Sequence, residues 1–186
     1  MRSSHDVHYG RVVLPYEVID DGAVHVANGR IVAVGPSHEV RRQIPGDAVP
    51  SSGASTCLIV PGFVDLHVHG GDGADFMDAT PAAFRTVLAC HLRHGTTSIV
   101  PTTTVASHEL MLQVLDLCRQ FKAIGIQGEE RIVGARALGG HFYGPYFHEE
   151  AVGCHPPPDF RPPNKAQHGP YLSNADSLGT GTVAPG

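Results

Sequence analysis

The sequence predicts an α/β protein in which a small β segment precedes a parallel sheet covered by helices. From Cys57 onward, β-branched and apolar runs alternate with amphipathic helical patterns, and this alternation is typical of βαβ units. Before that point, residues 1–56 contain short alternating runs separated by turn residues. The sequence therefore predicts two domains, a small β domain over residues 1–56 and an α/β domain over residues 57–186.

The composition argues against several classes of function. The chain has 186 residues, a net charge of -5 and no basic block, so nucleic-acid binding has no electrostatic basis. The sequence contains no run of about 18 apolar residues that could span a membrane, and residues 1–6 lack the apolar core of a signal peptide. The four cysteines are far apart and form no C-x-x-C pair. We therefore expect a cytoplasmic protein with reduced thiols, without a zinc ribbon or a disulfide framework.

A β-hairpin is the clearest element of the first domain. Two alternating apolar runs, 23–27 and 30–34, flank the dipeptide Asn28-Gly29. Asn-Gly between such runs predicts a type I′ turn, because this turn needs positive φ at both central positions. Residues 11–14 are a further candidate strand. Residues 40–56 contain several Pro, Gly and Ser residues, which predict a loop-rich crossover into the next domain.

Strands and helices alternate in the second domain. We predict a first strand that ends at His69, further strands over 96–104 and 132–142, and helices from Thr80-Pro81 to Gly95 and from Ser107 to Gly125. Thr80 and Ser107 are the expected N-caps of these helices. Residues 144–170 have few helix signals and are expected to form a functional loop or to be partly disordered. Residues 179–186 are a candidate for a fourth short strand.

The chain is organised around Pro61–Gly71, which reads PGFVDLHVHGG. Because side chains alternate along a strand, Asp65, His67 and His69 share one face, and the intervening aliphatic residues form a face that needs a hydrophobic layer. A single strand histidine is more often a hydrogen-bonded core residue. Two imidazoles side by side at the carboxyl end of a strand, however, form half of a metal site.

Four passages of the chain resemble the metal-dependent amidohydrolase superfamily, and within it the N-acetylglucosamine-6-phosphate deacetylases. In chain order they read PGFVDLHVHGGDGADFMDAT, HGTTSIVPTTTVAS, LGGHFYGPYFHEEAVGCHP and TVAPG. This resemblance implies that the second domain is a partial (β/α)8 TIM barrel with the first three to four strands. It also implies that residues 1–56 are a segment of a small β-sandwich.

The resemblance implies roles for individual residues. His67 and His69 match the first metal pair, and Asp65 matches a carboxylate that orients the ligands. His141 matches a strand histidine of the family, and His155 matches a histidine that lies near the bound sugar, so both are expected to bind substrate. The implied cofactor is a divalent metal ion, with zinc or iron as the expected metals.

Two positions depart from the family pattern. Tyr143 stands where the family has a metal-binding glutamate, and a neutral phenol is a poor ligand at neutral pH. Glu149 and Glu150 follow a few residues later and are an alternative source of a carboxylate. Gly186 stands where the family has the glutamate of A-P-E.

The activity implied by the resemblance is removal of the acetyl group from N-acetylglucosamine 6-phosphate by metal-activated water, in amino-sugar catabolism. The expected partner is that small amino-sugar phosphate, with no nucleic acid and no membrane, and a full-length relative is expected to be a homodimer. A (β/α)8 barrel takes about 250 residues, whereas about 130 follow Cys57, so we expect a fragment whose general base lies beyond Gly186. Two alternatives stay open, namely hydrolysis of another amide such as a cyclic amide, and a non-catalytic truncated relative.

Overall fold

The structure is a computed structural model that describes most of the chain. It describes residues 5–44, 49–52, 57–127, 133–151, 153, 155, 159–173 and 178–184. The chain divides into two compact units, Met1–Pro61 and Gly62–Gly186. The division follows Pro61, a few residues beyond the predicted boundary at residue 56.

The first unit is built on a five-stranded sheet with one short helix. Its elements are β1 (His5–Val13), β2 (Val18–Ala27), β3 (Arg30–Pro36), α1 (Ser37–Arg41), β4 (Val49–Ser52) and β5 (Leu58–Ile59). The strand order is β3-β2-β1-β4, and β5 also pairs with β1. The β1–β2 and β2–β3 pairs are antiparallel, whereas β4 and β5 run parallel to β1. All strands that the structure describes in this unit belong to this sheet.

The predicted Asn-Gly hairpin is confirmed. β2 and β3 pair antiparallel with Ala27 opposite Arg30. Asn28 has φ 51° and Gly29 has φ 72°, which are the left-handed conformations that a type I′ turn requires. The prediction of a loop-rich stretch over 40–56 is partly wrong, because part of it forms β4 at the sheet edge. Pro50 lies in β4, where the edge position tolerates its missing backbone donor.

The second unit alternates strands and helices, as predicted. Its elements are β6 (Phe63–Val68), β7 (Gly70–Gly71), β8 (Ala74–Asp75), α2 (Pro81–Arg93), β9 (Thr96–Pro101), α3 (His108–Gln127), β10 (Arg136–Ala137), β11 (Gly140–Phe147), α4 (Lys165–Ser173) and β12 (Leu178–Ala184). β6, β9 and β10 form a parallel sheet in the order β10-β9-β6. β11 and β12 form a parallel pair, and a parallel bridge between Thr102 and His141 links the end of β9 to β11. No helix in the described ranges is both long enough and apolar enough to cross a membrane.

Both predicted N-caps are present. The Thr80 hydroxyl accepts a hydrogen bond from the Ala83 backbone N–H at 3.1 Å, and the Ser107 hydroxyl accepts one from Leu110 N–H at 3.2 Å. These bonds satisfy backbone donors of the first turn that have no partner within the helix. The second helix continues to Gln127, beyond the predicted end at Gly125.

The predictions for the third strand and for residues 144–170 need correction. The third strand is divided into β10 and β11, and Gly139 lies between them with φ 140°. The 144–170 stretch contains the end of β11, a short 3-10 helix at Glu149–Ala151 and most of α4. α4 forms although it contains Gly169 and Pro170, because Tyr171 is buried against Phe142 at a ring distance of 4.7 Å. The candidate fourth strand is confirmed as β12.

One apolar face of β6 is not covered within the described residues. Of the three aliphatic side chains predicted to need a hydrophobic layer, only Val68 is buried, while Val64 and Leu66 are 56% and 61% exposed. β6 lies at the edge of its sheet. The expectation of a buried strand is therefore wrong for this part of the chain, because no described neighbour shields these two side chains.

The main core of the second unit contains a buried thiol. Cys118 packs among Phe84, Leu88 and other buried residues, and burial raises the pKa of its thiol to about 12. Because the thiolate is the reactive form, we expect iodoacetamide at pH 8 to alkylate the exposed Cys57 well before Cys118. Peptide mass spectrometry with and without denaturant measures both rates. Equal labelling of the two thiols in the native protein would contradict this expectation.

Candidate metal centre

His67 and His69 lie side by side at the carboxyl end of β6. Their Nε2 atoms are 3.1 Å apart, and Nδ1 of His69 donates to the Thr102 carbonyl oxygen at 3.2 Å. This donation places the proton of neutral His69 on Nδ1 and directs the Nε2 lone pair towards His67. Two nitrogen ligands of a tetrahedral zinc ion, each about 2.0–2.1 Å from the metal, lie about 3.3 Å apart. The pair therefore fits two ligand positions of a single ion.

Tyr143 lies against both imidazoles of this pair. Its ring centroid is 5.0 Å from that of His67 and 6.2 Å from that of His69. The backbone N–H of Tyr143 donates to the hydroxyl of fully buried Thr103 at 2.9 Å. This bond holds β11 in the register that turns residue 143 towards the pair. A phenol thus lies at the position from which a carboxylate would reach the two histidines.

His141 is close to the pair, but its ring nitrogens are bound elsewhere. The His141 and His67 rings are 4.9 Å apart. Nδ1 of His141 donates to the Leu66 carbonyl oxygen at 3.3 Å, and Nε2 accepts from the Thr182 hydroxyl at 2.8 Å. Burial, and next the neighbouring His67, lower the pKa of His141 below its ordinary value. In this arrangement His141 is a neutral link between β6, β11 and β12.

His155 has a free nitrogen at the same cluster. Its ring packs on Tyr143 at 4.9 Å and on Phe147 at 5.1 Å. The side chain is buried, and its Nε2 atom has no hydrogen-bond partner within the described part of the chain. Burial, and next His69 and His67, lower the pKa of His155. Because an unpaired buried polar atom is unfavourable, this nitrogen is the candidate-site atom best placed to bind a ligand.

Of the acidic residues singled out in the sequence, the side chains of Asp65 and Glu150 are described, and neither joins the cluster. The Asp65 carboxylate accepts from the His67 backbone N–H at 3.0 Å, not from the imidazole. Its effect on the pair is therefore exerted through the backbone. Glu150 is exposed in the 3-10 helix after β11. The side chain of Glu149 and all of Gly186 lie outside the described residues.

Within the residues that the structure describes, no group of three or more His, Cys, Asp or Glu side chains is arranged to hold a metal ion. The contacts above explain this finding. His141 uses both nitrogens in other hydrogen bonds, and Tyr143 supplies no carboxylate. The donor set in this part of the chain is therefore the imidazole pair of His67 and His69, which fits two positions of a metal site.

Sequence reasoning missed the threonines that position these groups. Thr102 is fully buried, and its hydroxyl accepts from the Val68 backbone N–H at 2.9 Å and donates to the Val100 carbonyl oxygen at 3.1 Å. Thr103 fixes Tyr143, and Thr182 holds His141. The available signal was the run Thr102-Thr103-Thr104 at the carboxyl end of a predicted parallel strand, where functional residues of such sheets collect.

Known proteins share this segment. Residues 58–142 match the model of the Amidohydrolase family. The chain is 33% identical over 156 residues to N-acetylglucosamine-6-phosphate deacetylase of Bacillus subtilis, over 81% of this chain and 36% of that protein. It is 33% identical over 143 residues to N-acetylgalactosamine-6-phosphate deacetylase of Escherichia coli O157:H7, over 77% and 34%. The chain thus spans about a third of the length of these relatives.

Solved structures agree with this similarity. A mutant N-acetyl-D-glucosamine-6-phosphate deacetylase of Mycobacterium smegmatis, in complex with N-acetyl-D-glucosamine-6-phosphate, is 28% identical with a TM-score of 0.72, over 97% of this chain and 44% of that chain. The deacetylase of Pasteurella multocida has the same fold, with a TM-score of 0.76 at 22% identity over 96% and 44%. Residues 58–142 therefore form a segment of the Amidohydrolase family, and the chain is similar to N-acetylglucosamine-6-phosphate deacetylases.

Proposed function

We propose that the chain is part of a hydrolase that removes the acetyl group from N-acetylglucosamine 6-phosphate by cleaving its carbon–nitrogen bond. The observation that carries this proposal is the convergence of the His67 and His69 Nε2 atoms, 3.1 Å apart, in the segment that matches the amidohydrolases. The deacetylases named above, at about 33% identity, support the substrate class. An amino-sugar phosphate is thus the proposed partner, in amino-sugar catabolism in the cytoplasm, and a homodimer is the proposed state of a full-length relative.

The proposed architecture is a partial (β/α)8 barrel, with a segment of a small β-sandwich before it. In its support, β6, β9, β11 and β12 follow one another as parallel strands through two ladders and one bridge. In a barrel of this kind the active site lies at the carboxyl ends of the strands. His67 lies at the carboxyl end of β6, and His69 lies just beyond it. His141 and Tyr143 lie in the first half of β11, which the Thr102–His141 bridge joins to the end of β9.

In the proposed site His67 and His69 would hold a divalent ion, zinc or iron. When bound, such an ion supplies an activated water and stabilises the charge that develops on the amide oxygen. Thr102 keeps His69 in the tautomer that can bind a metal. His155 would bind the sugar phosphate through its unpaired Nε2 atom. His141 remains a candidate substrate contact, and the general base is assigned to a residue outside the described part.

A second candidate substrate is another amide, such as a cyclic amide. The observation that favours it is the aromatic surroundings of the pair. Tyr143 contacts Phe147 at 5.2 Å as well as the imidazoles, so a planar ring would find flat apolar surfaces beside the candidate metal position. A non-catalytic role is the third candidate, and the lack of a carboxylate at position 143 favours it for the chain on its own.

Acetate release by the complete hydrolase that contains this chain, loaded with Zn²⁺ or Fe²⁺, tests the proposal. We expect acetate release from N-acetylglucosamine 6-phosphate. In His67→Ala and His69→Ala the rate of release should fall by at least about 100-fold, because removal even of a group that only orients a ligand lowers activity by about 10- to 100-fold. His38→Ala, at an exposed position, is the matched control. Turnover of cyclic amides alone would favour the second candidate. Acetate release at full rate by metal-free protein would contradict the mechanism, and no turnover of any substrate would favour the non-catalytic role.

A further inference from the structure

Arg161 connects four separate parts of the second unit. One terminal nitrogen, Nη1, donates to the Ala106 carbonyl oxygen at 3.0 Å and to the Asp159 carbonyl oxygen at 3.2 Å. The other, Nη2, donates to the Tyr171 hydroxyl at 3.1 Å and lies 3.7 Å from the Met111 sulfur. A single guanidinium therefore joins the loop after β9 to α3, to α4 and to the segment that precedes α4.

Tyr171 extends this connection to the start of α3. Its hydroxyl is 2.6 Å from Nδ1 of His108, and the two rings are 4.9 Å apart. Since the Tyr171 hydroxyl accepts from Arg161, its own proton is donated to His108. Tyr171 is only 3% exposed. We call this chain of hydrogen bonds, formed by Arg161, Tyr171 and His108, the arginine latch.

The latch is not an ion pair. In the described part of the chain, the partners of the Arg161 guanidinium are carbonyl oxygens, a phenol and a thioether, none of which carries a charge. These acceptors are divided between the two terminal nitrogens, and a guanidinium can reach them simultaneously because its five donors form a fork. Lysine has its donors on a single nitrogen and cannot span the same partners. The geometry is therefore specific for arginine.

The segment that the latch holds also bears His155. Phe160, next to Arg161, contacts His155 at 6.5 Å and Phe147 at 6.3 Å between ring centroids. The Arg161 backbone N–H donates to the Pro145 carbonyl oxygen at 3.5 Å. Phe160 and Arg161 therefore lie beside β11, with Phe160 in contact with His155 and the Arg161 side chain in the latch.

We propose that Arg161, Tyr171 and His108 are positioning residues that hold His155 at the candidate metal centre. Their hydrogen bonds described above go to neither the imidazole pair nor Tyr143. Their effect is exerted through Phe160, the neighbour of Arg161, which contacts both His155 and Phe147. The inference rests on the proposed function only for the identity of the group that His155 binds. How firmly His155 is held can be measured without substrate.

Diethyl pyrocarbonate footprinting of the whole chain, with peptide mass spectrometry, tests the latch. Modification of a buried histidine proceeds through opened states, so its rate reports how often His155 is released. In Tyr171→Phe, which keeps the buried ring and removes only the hydroxyl, we expect His155 to react at least about tenfold faster, because a hydrogen bond to a charged group is lost. Arg161→Ala should give a similar or larger increase. Arg161→Lys should fail to restore the slow rate.

The control is Arg119→Ala, which removes an exposed arginine that pairs with Asp116 on α3. Its His155 rate should equal that of the native chain. The rates at His67 and His69 should change less than that at His155 in every latch variant. Unchanged His155 rates in Tyr171→Phe and Arg161→Ala, recovery of the slow rate in Arg161→Lys, or equal acceleration at all three histidines would overturn the proposal. Footprinting does not measure hydrolysis, so its failure is distinct from failure of the proposed deacetylation.

Discussion

Replacing Tyr143 with glutamate is expected to raise the affinity of the chain for Zn²⁺ by at least about tenfold. Loss of a group that only orients a metal ligand already lowers metal affinity by about 10- to 100-fold, and a new ligand should matter at least as much. The Tyr143 ring contacts His67 and His69, so a shorter acidic side chain at this position points at the same pair. A carboxylate adds a charged oxygen ligand to two imidazole nitrogens, whereas the neutral phenol does not.

Competition with a chromophoric chelator at pH 7 measures this affinity. Tyr143→Phe is the matched control, because it keeps the ring and removes only the oxygen, and its affinity should remain that of the native chain. The gain should disappear in the double variant Tyr143→Glu with His67→Ala. A Tyr143→Phe variant that binds Zn²⁺ as poorly as His67→Ala would instead identify the phenol oxygen as a ligand.

Phe84→Ala should destabilise the second unit by about 3–5 kcal/mol, the usual range for removal of a buried aromatic side chain. Phe84 is fully buried at the centre of the main core. Its ring packs 4.8 Å from that of Phe76 and 5.0 Å from that of Phe121. Since domains are stable by only about 5–15 kcal/mol, this loss is a large fraction of the total.

Urea unfolding followed by circular dichroism measures the effect of Phe84→Ala on the free energy of unfolding. Leu92→Ala is the control on the same helix. Leu92 is 37% exposed, so its truncation should cost about 1 kcal/mol or less. Similar losses of unfolding free energy in the two variants would show that burial of Phe84 is not a main source of the stability of this core.

Local patterns determined much of the fold. The Asn28-Gly29 turn depends on backbone preferences of two adjacent residues, and the N-caps Thr80 and Ser107 act within three residues. The alternation of strands and helices after Cys57 is equally local, because periodicity records which side of an element faces the core. These features were predictable because each depends on residues that are close together in the sequence.

The motif around Pro61–Gly71 was partly predictable as well. Alternation along β6 placed His67 and His69 on one side, and their Nε2 atoms do converge. Alternation did not predict that Val64 and Leu66 would stay exposed. Their burial depends on which other segments cover the sheet edge, and that information is absent from the strand itself.

The tertiary structure alone decided which groups each histidine meets. His69 is set by Thr102, 33 residues away, and His141 by Leu66 and Thr182, 75 and 41 residues away. α4 likewise forms through the burial of Tyr171 despite Gly169 and Pro170. By itself, the sequence determined the family, the H-x-H pair and the phenol at position 143. Only the fold decided that this phenol faces both imidazoles and that Nε2 of His155 has no hydrogen-bond partner among the described residues. Both features depend on segments that are far apart in the sequence, and no local pattern records how such segments meet.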